Sequence, residues 1–381
     1  MIAQGRRRSN RRCASMGAVQ EPEVKTVSEK LPPLGKISPA FFERVILPHL
    51  GAPSEKVLVG PRHGVDIGIV EVAEGTVMAL TTDPVFVVPE YGWERAAWFA
   101  VHILASDAAT SGLPLAFATF DLNLPLSIRE EELEVLWRAM DAECRALGIS
   151  VVTGHTARYE GCSYPMVGGA TFMALGPANR YVTPAMAEPG DRVLVTKGPA
   201  IEATGLFGVT FPGRIEKALG AEMARKAADV FGQMSVVQDC RTAAAIGVRN
   251  RGVTSMHDAT ECGLYGGLVE VAQASGVGMR IEKEAIPVPE VVSRVCGHFG
   301  IDPFTSISEG TLIVTCKPFR AQALLAAFSG VSIPAAIIGE VTEKERGIVL
   351  VEGGAEREME HPRLDPFWAA FGEAMAASRR G

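Results

Sequence analysis

The sequence predicts an α/β (α+β) fold made of two consecutive series of strands and helices. Short apolar runs typical of buried strands alternate with longer stretches in which apolar residues recur at helical spacing. A Glu-Pro-Gly-Asp turn within residues 184–191 is typical of a linker between the two series. The chain has 381 residues, of which 47% are hydrophobic, so we expect two or three domains with sizeable cores.

The first series begins with a helix that opens at Ser38, because serine caps helix N-termini and Pro39 fits the first helical position. The pattern then predicts a buried strand over residues 77–82 that ends at Asp83. It also predicts helices over 93–111 and 128–147, and strands over 115–122, 149–153 and 167–175. Glutamates at 130–132 suit the positive end of the second helix.

The second series repeats this plan. It predicts strands over residues 192–196, 253–256, 278–282, 311–316, 335–341 and 348–351, and helices over 201–207, 215–247, 261–275, 319–328 and 365–377. The shared plan suggests a duplication, although the halves share little sequence. We therefore expect an N-terminal domain over 34–180, a C-terminal domain over 190–352 and a helical tail over 353–381.

The N-terminal segment, residues 1–33, carries five arginines and no acidic residue before Glu21. This composition predicts a disordered basic tail, or a translation start at Met16 that would remove the arginines. A transit peptide has a similar composition, whereas a secretory signal is not expected because no apolar stretch follows the arginines.

Charge, hydropathy and cysteine content argue against several classes of protein. The net charge is −7, which argues against a nucleic-acid scaffold. No apolar run approaches the roughly 20 residues that span a bilayer. The seven cysteines form no Cys-x-x-Cys pair, so neither a disulfide framework nor a zinc site is indicated. We expect a cytoplasmic protein with no nucleic-acid or membrane partner.

Four aspartates lie where predicted turns meet the ends of elements, and they are the candidate metal ligands. Asp66 follows a glycine-containing loop, Asp83 ends a strand, Asp107 is on a helix and Asp258 precedes one. Carboxylates that lie close together repel one another unless a cation sits among them, and Mg²⁺ takes oxygen ligands and bridges to phosphates. Such a cluster would bind a nucleoside triphosphate without the Gly-x-x-x-x-Gly-Lys loop, which this sequence lacks.

Structural roles are the alternative for these aspartates. Asp258 and Glu261 have the spacing of a helix capping box, and Asp66 and Asp83 suit ordinary turns. The spacing of the aspartates along the chain does not decide between the two explanations.

Other polar residues are weaker candidates. His155, in a Thr-Gly-His-Thr segment after a predicted strand, suits either a phosphate or substrate contact or a hydrogen-bonded loop position. Lys36 and Lys197 are candidate counter-charges for phosphate or ordinary surface lysines. Glu309 is a candidate catalytic residue or a turn carboxylate. Cys262, at a predicted helix N-terminus, is a candidate thiolate nucleophile, with a structural cysteine as the alternative.

Six polar segments occur in an order that identifies a family. They are Thr81-Thr-Asp, Ser106-Asp-Ala-Ala-Thr-Ser-Gly, Val151-Val-Thr-Gly-His-Thr, Val195-Thr-Lys-Gly-Pro-Ala-Ile-Glu, His257-Asp-Ala-Thr-Glu-Cys-Gly-Leu and Ser308-Glu-Gly. Together they resemble the AIR synthase (PurM-like) superfamily over about residues 34–351. That superfamily includes aminoimidazole ribonucleotide (AIR) synthase, the hydrogenase-maturation protein HypE, thiamine-monophosphate kinase, selenophosphate synthetase and formylglycinamidine synthase. The sequence is most similar to the HypE-like, "AIR synthase related" branch.

The resemblance implies an architecture and a ligand set. It implies an N-terminal domain that forms a β-barrel with a second copy in a homodimer, followed by a C-terminal α/β domain. It implies ATP and Mg²⁺ as cofactors, with Asp66, Asp83, Asp107 and Asp258 as metal ligands. These four, together with Thr82, Gly154, Thr260 and Gly263, are the implied nucleotide-binding residues. His155 and Glu309 are then the candidate catalytic residues.

Two features depart from the family pattern. The paired acids after the first glycine loop are Val65-Asp66 here, so one potential metal ligand is missing. HypE ends in a cysteine that receives a carbamoyl group and is dehydrated to a thiocyanate, whereas this sequence ends Ser378-Arg-Arg-Gly and its last cysteine is Cys316. The resemblance therefore does not carry the thiocyanate mechanism to this chain.

Three functions follow as hypotheses. The first is an ATP-dependent enzyme that phosphorylates an amide or carbonyl oxygen of an unidentified small-molecule or protein acceptor, with hydrogenase maturation as the associated process. The second is a small-molecule kinase or cyclo-ligase of the thiamine-monophosphate kinase or AIR synthase type. The third is a nucleotide-binding sensor or scaffold without turnover, an idea motivated by Val65.

Overall fold

The structure, a computed structural model, describes residues 37–378. The predicted basic tail, with its arginines and Met16, therefore lies outside the described residues, and so does the candidate counter-charge Lys36. The chain divides into two compact units, and the boundary falls between Gly51 and Ala52.

In the first unit, Ser38 begins a helical segment as the sequence predicts. Its Oγ accepts a hydrogen bond from the N–H of Phe41 at 3.2 Å, and Pro39 occupies the first helical position. Helix α1 (Pro39–Phe41) continues directly into a π-helical turn over Phe42–Ile46 and a 3₁₀ turn over Leu47–His49.

The second unit begins with a six-stranded sheet. Its strands are β1 (Val57–Val59), β2 (Gly68–Ala73), β3 (Thr76–Phe86), β4 (Leu115–Leu124), β5 (Ser150–Arg158) and β6 (Met166–Pro177), in the spatial order β1-β2-β3-β6-β4-β5. The helices inserted among them are α2 (Trp93–Thr110) and α3 (Glu130–Leu147). Neighbouring strands are antiparallel except β4 and β5, which are parallel because α3 carries the chain back between them.

Helix α3 shows how local sequence sets the ends of an element. Glutamates fill its first turn, and Glu132 accepts a hydrogen bond from the N–H of the N-cap residue at 2.9 Å. Gly148, with φ of +77°, ends the helix in the left-handed conformation that glycine adopts without strain. The buried side of the helix repeats every four residues, at Leu136, Met140 and Cys144.

A seven-stranded sheet follows. Its strands are β7 (Arg192–Thr196), β8 (Val253–Ala259), β9 (Gly278–Glu282), β10 (Thr311–Cys316), β11 (Ala335–Thr342), β12 (Ile348–Glu352) and β13 (Ala355–Glu358), in the order β13-β12-β9-β11-β7-β10-β8. Its neighbouring strands are antiparallel except β9 and β12.

Eight helices accompany this sheet within residues 37–378. They are α4 (Ile201–Thr210), α5 (Pro212–Leu219), α6 (Ala221–Val230), α7 (Val237–Ala245), α8 (Gly263–Ser275), α9 (Glu290–Phe299), α10 (Pro318–Gly330) and α11 (Pro366–Ser378). Across the same residues, no helix is both long enough and apolar enough to cross a membrane.

The predicted fold class is confirmed, since the described residues form a mixed α/β structure with two sheets. Helix α9 and strands β1, β2 and β13 were not predicted. Strand β13 consists of Ala-Glu-Arg-Glu, and all four residues are exposed, so no apolar alternation marks it. The domain boundaries at 34–180 and 190–352, and the barrel shared with a second copy, stay predictions.

Residues 184–191 are a packed connection and not a loose linker, which corrects the sequence prediction. Asp191 is 1% exposed, and its carboxylate accepts hydrogen bonds from Thr254 Oγ1 at 2.6 Å and Lys317 Nζ at 3.0 Å. Turn residues indicate where a chain reverses, but they do not indicate whether neighbouring elements cover the turn. One hydrophobic core accordingly extends from the first sheet and α2 into β8 and β10.

Candidate functional site

Five carboxylates, from α2 and from strands of both sheets or the loops before them, converge on one region of the second unit. Asp66 lies just before β2, Asp83 in β3, Asp107 in α2, Asp258 in β8 and Glu309 just before β10. Burial raises the pKa of Asp107 well above its usual range, and the charges of the other four carboxylates raise it further. Because such effects fall off with distance, the five side chains form one group, which we call the carboxylate cluster.

The carboxylate cluster contains the four predicted metal ligands and one of the two predicted catalytic residues, Glu309. The structure therefore brings together side chains that are up to 243 positions apart in the sequence, from Asp66 to Glu309 (309 − 66). Their roles in binding and catalysis stay predictions at this point, because proximity alone does not assign them.

Asp107 interacts electrostatically with every other member of the carboxylate cluster. Thr81 Oγ1 donates a hydrogen bond to Asp107 Oδ2 at 3.1 Å, which ties α2 to β3. Burial raises the pKa of Asp258, and this outweighs the opposing effects of the nearby His257 and of a hydrogen bond from Asp107. Burial and like charge therefore both favour the neutral forms of Asp107 and Asp258 in the metal-free protein.

Two of these aspartates lie inside strands, whereas the sequence placed them at the ends of elements. Strand β3 continues through Asp83, which pairs with Ala170, and strand β8 continues through Asp258, which pairs with Leu312. The capping-box alternative for Asp258 is wrong, because Cys262 is the N-cap residue of α8. An acidic residue after an apolar run indicates a turn only if the backbone pairing of the strand ends there. At Asp83 and Asp258 the pairing continues, so the rule gave the wrong strand ends.

His257 lies beside the carboxylate cluster and was not predicted as a site residue. Its Nδ1 is 3.5 Å from Asp66 Oδ2 and 3.9 Å from Asp258 Oδ1, and its Nε2 is 3.0 Å from Glu270 Oε2 on α8. Burial lowers the pKa of His257, but the hydrogen bond to Glu270 and the charges of Asp66 and Asp258 together raise it to about 9. In the metal-free protein this ring is therefore a local positive charge.

Two oxygens of the carboxylate cluster have no hydrogen-bond partner among residues 37–378. They are Asp258 Oδ2 and Glu309 Oε2, on residues that are each 1% exposed. Leaving a buried polar atom unsatisfied costs about 1–3 kcal/mol. A divalent cation would satisfy such oxygens and reduce the repulsion among the carboxylates, and an oxygen-rich donor set suits Mg²⁺. The residues present therefore fit a divalent metal ion.

A second group of acidic residues adjoins Glu309. The N–H of Glu309 donates to Glu202 Oε2 at 3.1 Å. Burial raises the pKa of Glu202 to about 7 and that of Asp365 to about 6. Burial also raises the pKa of Glu309 well above its usual range, and the charges of Asp258 and Glu202 add to this effect. Groups that can hold or release a proton near neutral pH thus lie next to the carboxylate cluster.

Cys262 contributes to packing. Its backbone N–H donates to Asp365 Oδ2 at 2.8 Å, and its thiol donates to the carbonyl oxygen of Pro362 at 3.0 Å. The residue is buried. A buried thiol that donates a hydrogen bond is protonated, so the geometry favours the structural alternative over a thiolate nucleophile.

Gly154 and Gly263, both predicted to contact the nucleotide, stand where the structure leaves no room for a side chain. A Cβ at Gly154 would lie 2.5 Å from the carbonyl oxygen of Phe120 on the neighbouring strand. A Cβ at Gly263 would lie 2.4 Å from the carbonyl oxygen of Ser306, and its φ of +61° also favours glycine. The predicted binding residue Thr260 fixes this turn, since its carbonyl oxygen accepts the N–H of Gly263 at 3.1 Å.

Thr82 and His155 lie away from the carboxylate cluster. Successive residues of a strand face opposite sides of a sheet, so Thr82 faces away from Thr81, and its Oγ1 is 2.8 Å from that of Thr171. His155 is exposed in β5, where Nε2 is 2.8 Å from the hydroxyl of Tyr159. Strand β5 is three strands from β3, roughly 14 Å away. The sequence placed His155 in a turn because the predicted strand ended too early.

Lys197 is buried in an ion pair, so neither predicted alternative, a phosphate counter-charge or a surface lysine, describes it. Its Nζ is 3.0 Å from Asp239 Oδ2 and donates to the carbonyl oxygens of Ser235 at 2.7 Å and Gln233 at 3.3 Å. An ammonium group has three N–H donors, and these three acceptors use them all. The lysine also lines a cavity of about 520 Å³.

Sequence reasoning missed four residues of this region, which are Glu202, His257, Glu270 and Asp365. Two of them had a signal, because Glu202 and His257 lie within the polar segments that identify the family. Glu270 had none, since it is a single acid in a mostly apolar, buried helix and meets His257 only through packing of α8 against β8. Val65, where the family has an acid, is buried in the core of the first sheet and contributes to packing.

Comparisons with known proteins agree with this arrangement of elements. The sequence profile described as "AIR synthase related protein, N-terminal domain" matches residues 64–174, and the corresponding C-terminal domain profile matches residues 188–352. Carbamoyl dehydratase HypE from Azotobacter vinelandii is 31% identical over 256 residues, which cover 66% of this chain and 71% of that protein.

Solved structures share the fold. A chain of a HypE–HypF complex has a TM-score of 0.64 at 21% identity, over 85% of this chain and 100% of that one. The hydrogenase maturation protein HypE in complex with ATP has a TM-score of 0.61 at 22% identity, over 86% and 93%. AaThiL complexed with AMPPCP and TMP has a TM-score of 0.61 at 21% identity, over 80% and 90%.

Proposed function

This chain belongs to the AIR synthase related protein family, and on that premise we propose that it is an ATP-dependent enzyme that activates an amide or carbonyl oxygen of its acceptor by phosphoryl transfer. The observation that carries the proposal is the carboxylate cluster with its two unpartnered oxygens. Buried negative charge requires a compensating cation, and Mg²⁺ is the usual companion of ATP phosphates in proteins. The relative named carbamoyl dehydratase and the fold neighbours solved with ATP and AMPPCP support the same proposal.

Asp66, Asp83, Asp107 and Asp258 are the residues that would hold Mg²⁺. When bound, the ion would neutralise the phosphate charge that develops during phosphoryl transfer. The protein's contribution is rigidity: Asp83 and Asp258 lie in paired strands, and Thr81 fixes Asp107 on α2. Charged groups that need not reorganise during the reaction stabilise its transition state most effectively.

Glu309 is the residue to which we assign proton transfer. Activation of an amide through its oxygen requires a group that takes a proton from the amide nitrogen, and Glu309 is a buried carboxyl group beside the carboxylate cluster. A cation in the cluster would lower the pKa of Glu309 and free its carboxylate for this role. Glu202, whose pKa burial raises to about 7, would then pass the proton on.

We also propose that the protein acts as a homodimer. The first sheet carries α2 and α3 on one side, and Phe117, Val152 and Met166 are exposed on its strands. A second copy that covers these side chains would bring His155 and Thr82 into the interface. These two residues would then act on the nucleotide across the dimer, because they lie away from the carboxylate cluster of their own copy.

Two other functions have specific observations in their favour. Direct phosphoryl transfer to a small molecule is favoured by the fold shared with AaThiL. A nucleotide sensor without turnover is favoured by Val65, which replaces an acid of the family pattern. All three functions require ATP binding, so ADP formation that depends on an added acceptor separates the enzymes from the sensor. Release of inorganic phosphate then distinguishes activation of an amide or carbonyl oxygen from direct phosphoryl transfer, which leaves the phosphate on the acceptor.

Calorimetric titration with ATP, with and without Mg²⁺, tests the proposal. The informative variants are Asp258→Asn and Asp83→Asn, which remove one charge each without a change in size. The matched control is Asp229→Asn, whose side chain is 62% exposed on α6. We expect Mg²⁺-dependent binding in the wild type and control, and binding at least about tenfold weaker in both site variants. A wild type that binds no ATP in the presence of Mg²⁺ would refute the proposal.

A further inference from the structure

We infer that the position between Asp66, His257 and Asp258 binds a first-row transition metal ion through the imidazole nitrogen of His257, in preference to Mg²⁺. Asp66 and Asp258 would then be shared with the Mg²⁺ that arrives with ATP, and Asp83 and Asp107 would supply its remaining ligands. The inference rests on the proposed function only in that both place a cation in the carboxylate cluster.

The three ligand atoms already lie close to coordination distance. Asp66, His257 and Asp258 each offer one donor atom, and these atoms lie within 4.8 Å of one another. His257 Nδ1 is 3.5 Å from Asp66 Oδ2 and 3.9 Å from Asp258 Oδ1. Metal–ligand bonds of about 2.1 Å place neighbouring ligands about 3.0–3.4 Å apart. Shifts of well under 1 Å would therefore complete the site.

The ring nitrogen that faces the two aspartates is the one available for a metal. A carboxylate only accepts hydrogen bonds, so His257 Nε2, 3.0 Å from Glu270 Oε2, must donate its hydrogen to Glu270. The neutral ring that binds metals then carries its lone pair on Nδ1, between Asp66 and Asp258. A histidine ligand whose other nitrogen donates to a carboxylate is the usual arrangement in protein metal sites.

An unsatisfied atom points independently to a ligand. Asp258 is 1% exposed, and its Oδ2 accepts no hydrogen bond from any described residue. A ring that served only as a counter-charge would leave this oxygen unsatisfied, whereas a bound ion would satisfy it.

Two glycines, Gly64 and Gly267, allow the segments that carry the three ligands to pack closely against α8. A Cβ at Gly64 would lie 3.2 Å from the backbone oxygen of Glu270, so the loop that carries Asp66 rests directly on α8. A Cβ at Gly267 would lie 3.5 Å from Cδ2 of the His257 ring and 2.7 Å from Ile313. Larger residues at either glycine would displace a ligand or its supporting carboxylate.

The chemistry of the donors sets the class of metal. Carboxylates suit Mg²⁺, Ca²⁺ and Mn²⁺, whereas imidazole nitrogen suits Fe²⁺, Ni²⁺, Cu²⁺ and Zn²⁺, and Mn²⁺ is the weakest-binding member of the first-row series. Two carboxylates with one imidazole therefore prefer a first-row transition ion.

Electron spin-echo spectroscopy of bound Mn²⁺, without nucleotide, is the direct test. Coupling of the Mn²⁺ electron spin to ¹⁴N reports an imidazole ligand and needs no catalysis. We expect this coupling in the wild type, and its disappearance in His257→Asn. The matched control is His102→Asn, since His102 is also buried and also pairs with a glutamate, Glu143, at 3.2 Å; the coupling should persist there.

Two further measurements keep the inference testable even if His257→Asn does not fold. Wild-type protein labelled with ¹⁵N-histidine should replace the ¹⁴N pattern with that of ¹⁵N. In competition experiments the wild type should bind Mn²⁺ at least about tenfold more tightly than Mg²⁺, and Glu270→Gln should weaken Mn²⁺ binding about 10–100-fold.

The outcomes separate this inference from the proposed function. Bound Mn²⁺ without nitrogen coupling, in a protein that still binds ATP with Mg²⁺, would overturn the inference and leave the function standing. A wild type that binds neither Mn²⁺ nor ATP would overturn both. Nitrogen coupling without ATP binding would support the metal site and refute the proposed function.

Discussion

Asp258 and Glu309 occupy environments far from that of an ordinary surface carboxylate. Each is 1% exposed, and each has one oxygen that meets no hydrogen-bond partner in the part of the chain that the structure describes. Burial raises the pKa of both residues, and neighbouring acids add to it. Such an arrangement costs stability in the free protein, so its presence is best explained by a cation that offsets the cost when bound.

Glu202 makes the stability of the metal-free protein depend on pH in a way that can be measured. Its pKa in the folded protein is about 7, above the usual 4.5, so the folded state holds the proton more tightly than the unfolded state. The resulting stabilisation is complete below about pH 4.5 and is lost as the pH rises through about 7. Asp365, with a pKa of about 6, acts in the same direction.

We therefore expect the melting temperature of the metal-free protein to fall between pH 5 and pH 8, and to fall less in Glu202→Gln. The glutamine keeps an oxygen that accepts the N–H of Glu309 but carries no titrating group. Thermal melts in EDTA at both pH values measure the effect, with the exposed Glu216→Gln on α5 as control. The same pH dependence in wild type and Glu202→Gln would contradict the assignment.

At the scale of elements, the strands that carry the site were predicted in the right places but too short. Strand β3 runs on past Asp83, β5 past Gly154 and His155, and β8 past Asp258. Apolar alternation reports burial of side chains, whereas a strand persists wherever backbone pairing continues. The prediction therefore ended these strands too early where polar residues lie inside a paired strand. Those residues lie at the candidate site and on the exposed edge strand.

Helix α8 offers an internal comparison of two glycines. Gly263 begins the helix and Gly276 ends it, with φ of +61° and +68°. An added Cβ would lie 2.4 Å from the carbonyl oxygen of Ser306 at the first position, but would meet nothing within 4 Å at the second. The two positions therefore share the backbone strain of a left-handed residue and differ in the available space.

We expect Gly276→Ala to lower the free energy of unfolding by about 1–2 kcal/mol, the strain of a left-handed alanine. Gly263→Ala should cost at least about 2 kcal/mol more, because the backbone around Ser306 must move. Urea unfolding followed by circular dichroism measures both variants. Equal losses would show that the turn after β8 can relax, and that close packing is not why glycine stands at 263.

At the scale of the whole molecule, the first sheet is unevenly covered. Helices α2 and α3 pack against it, while Val152 and Met166 on its strands are each 56% exposed. Strand β5 forms an edge of this sheet, and its residues are almost all exposed. An exposed edge with apolar side chains is a surface that soluble proteins usually cover, which agrees with the proposed homodimer.

Val152→Lys should weaken this homodimer, because each copy would bring a charge into an apolar contact. Light scattering after size exclusion should give twice 40.5 kDa for the wild type and a mass near 40.5 kDa for the variant. Val331→Lys is the matched control, since Val331 is 44% exposed after α10, far along the chain from the first sheet. A wild type of 40.5 kDa would refute the dimer.

The sequence by itself determined the fold class and the order of most elements. It also singled out the four aspartates that the structure brings into one cluster. These follow from local signals: apolar periodicity, turn residues, and short polar segments that occur in a fixed order. It missed β13, where every side chain is exposed, and it misread Lys197, because a lysine's burial depends on partners such as Asp239 that lie far along the chain.

The tertiary structure alone decided which polar residues meet. It joined Glu309 to the carboxylate cluster, set His257 between two aspartates with Glu270 behind it, and moved Thr82 and His155 to the other side or edge of the first sheet. The physical reason is that distance, burial and charge coupling arise from contacts between residues remote in sequence, so no local pattern specifies them.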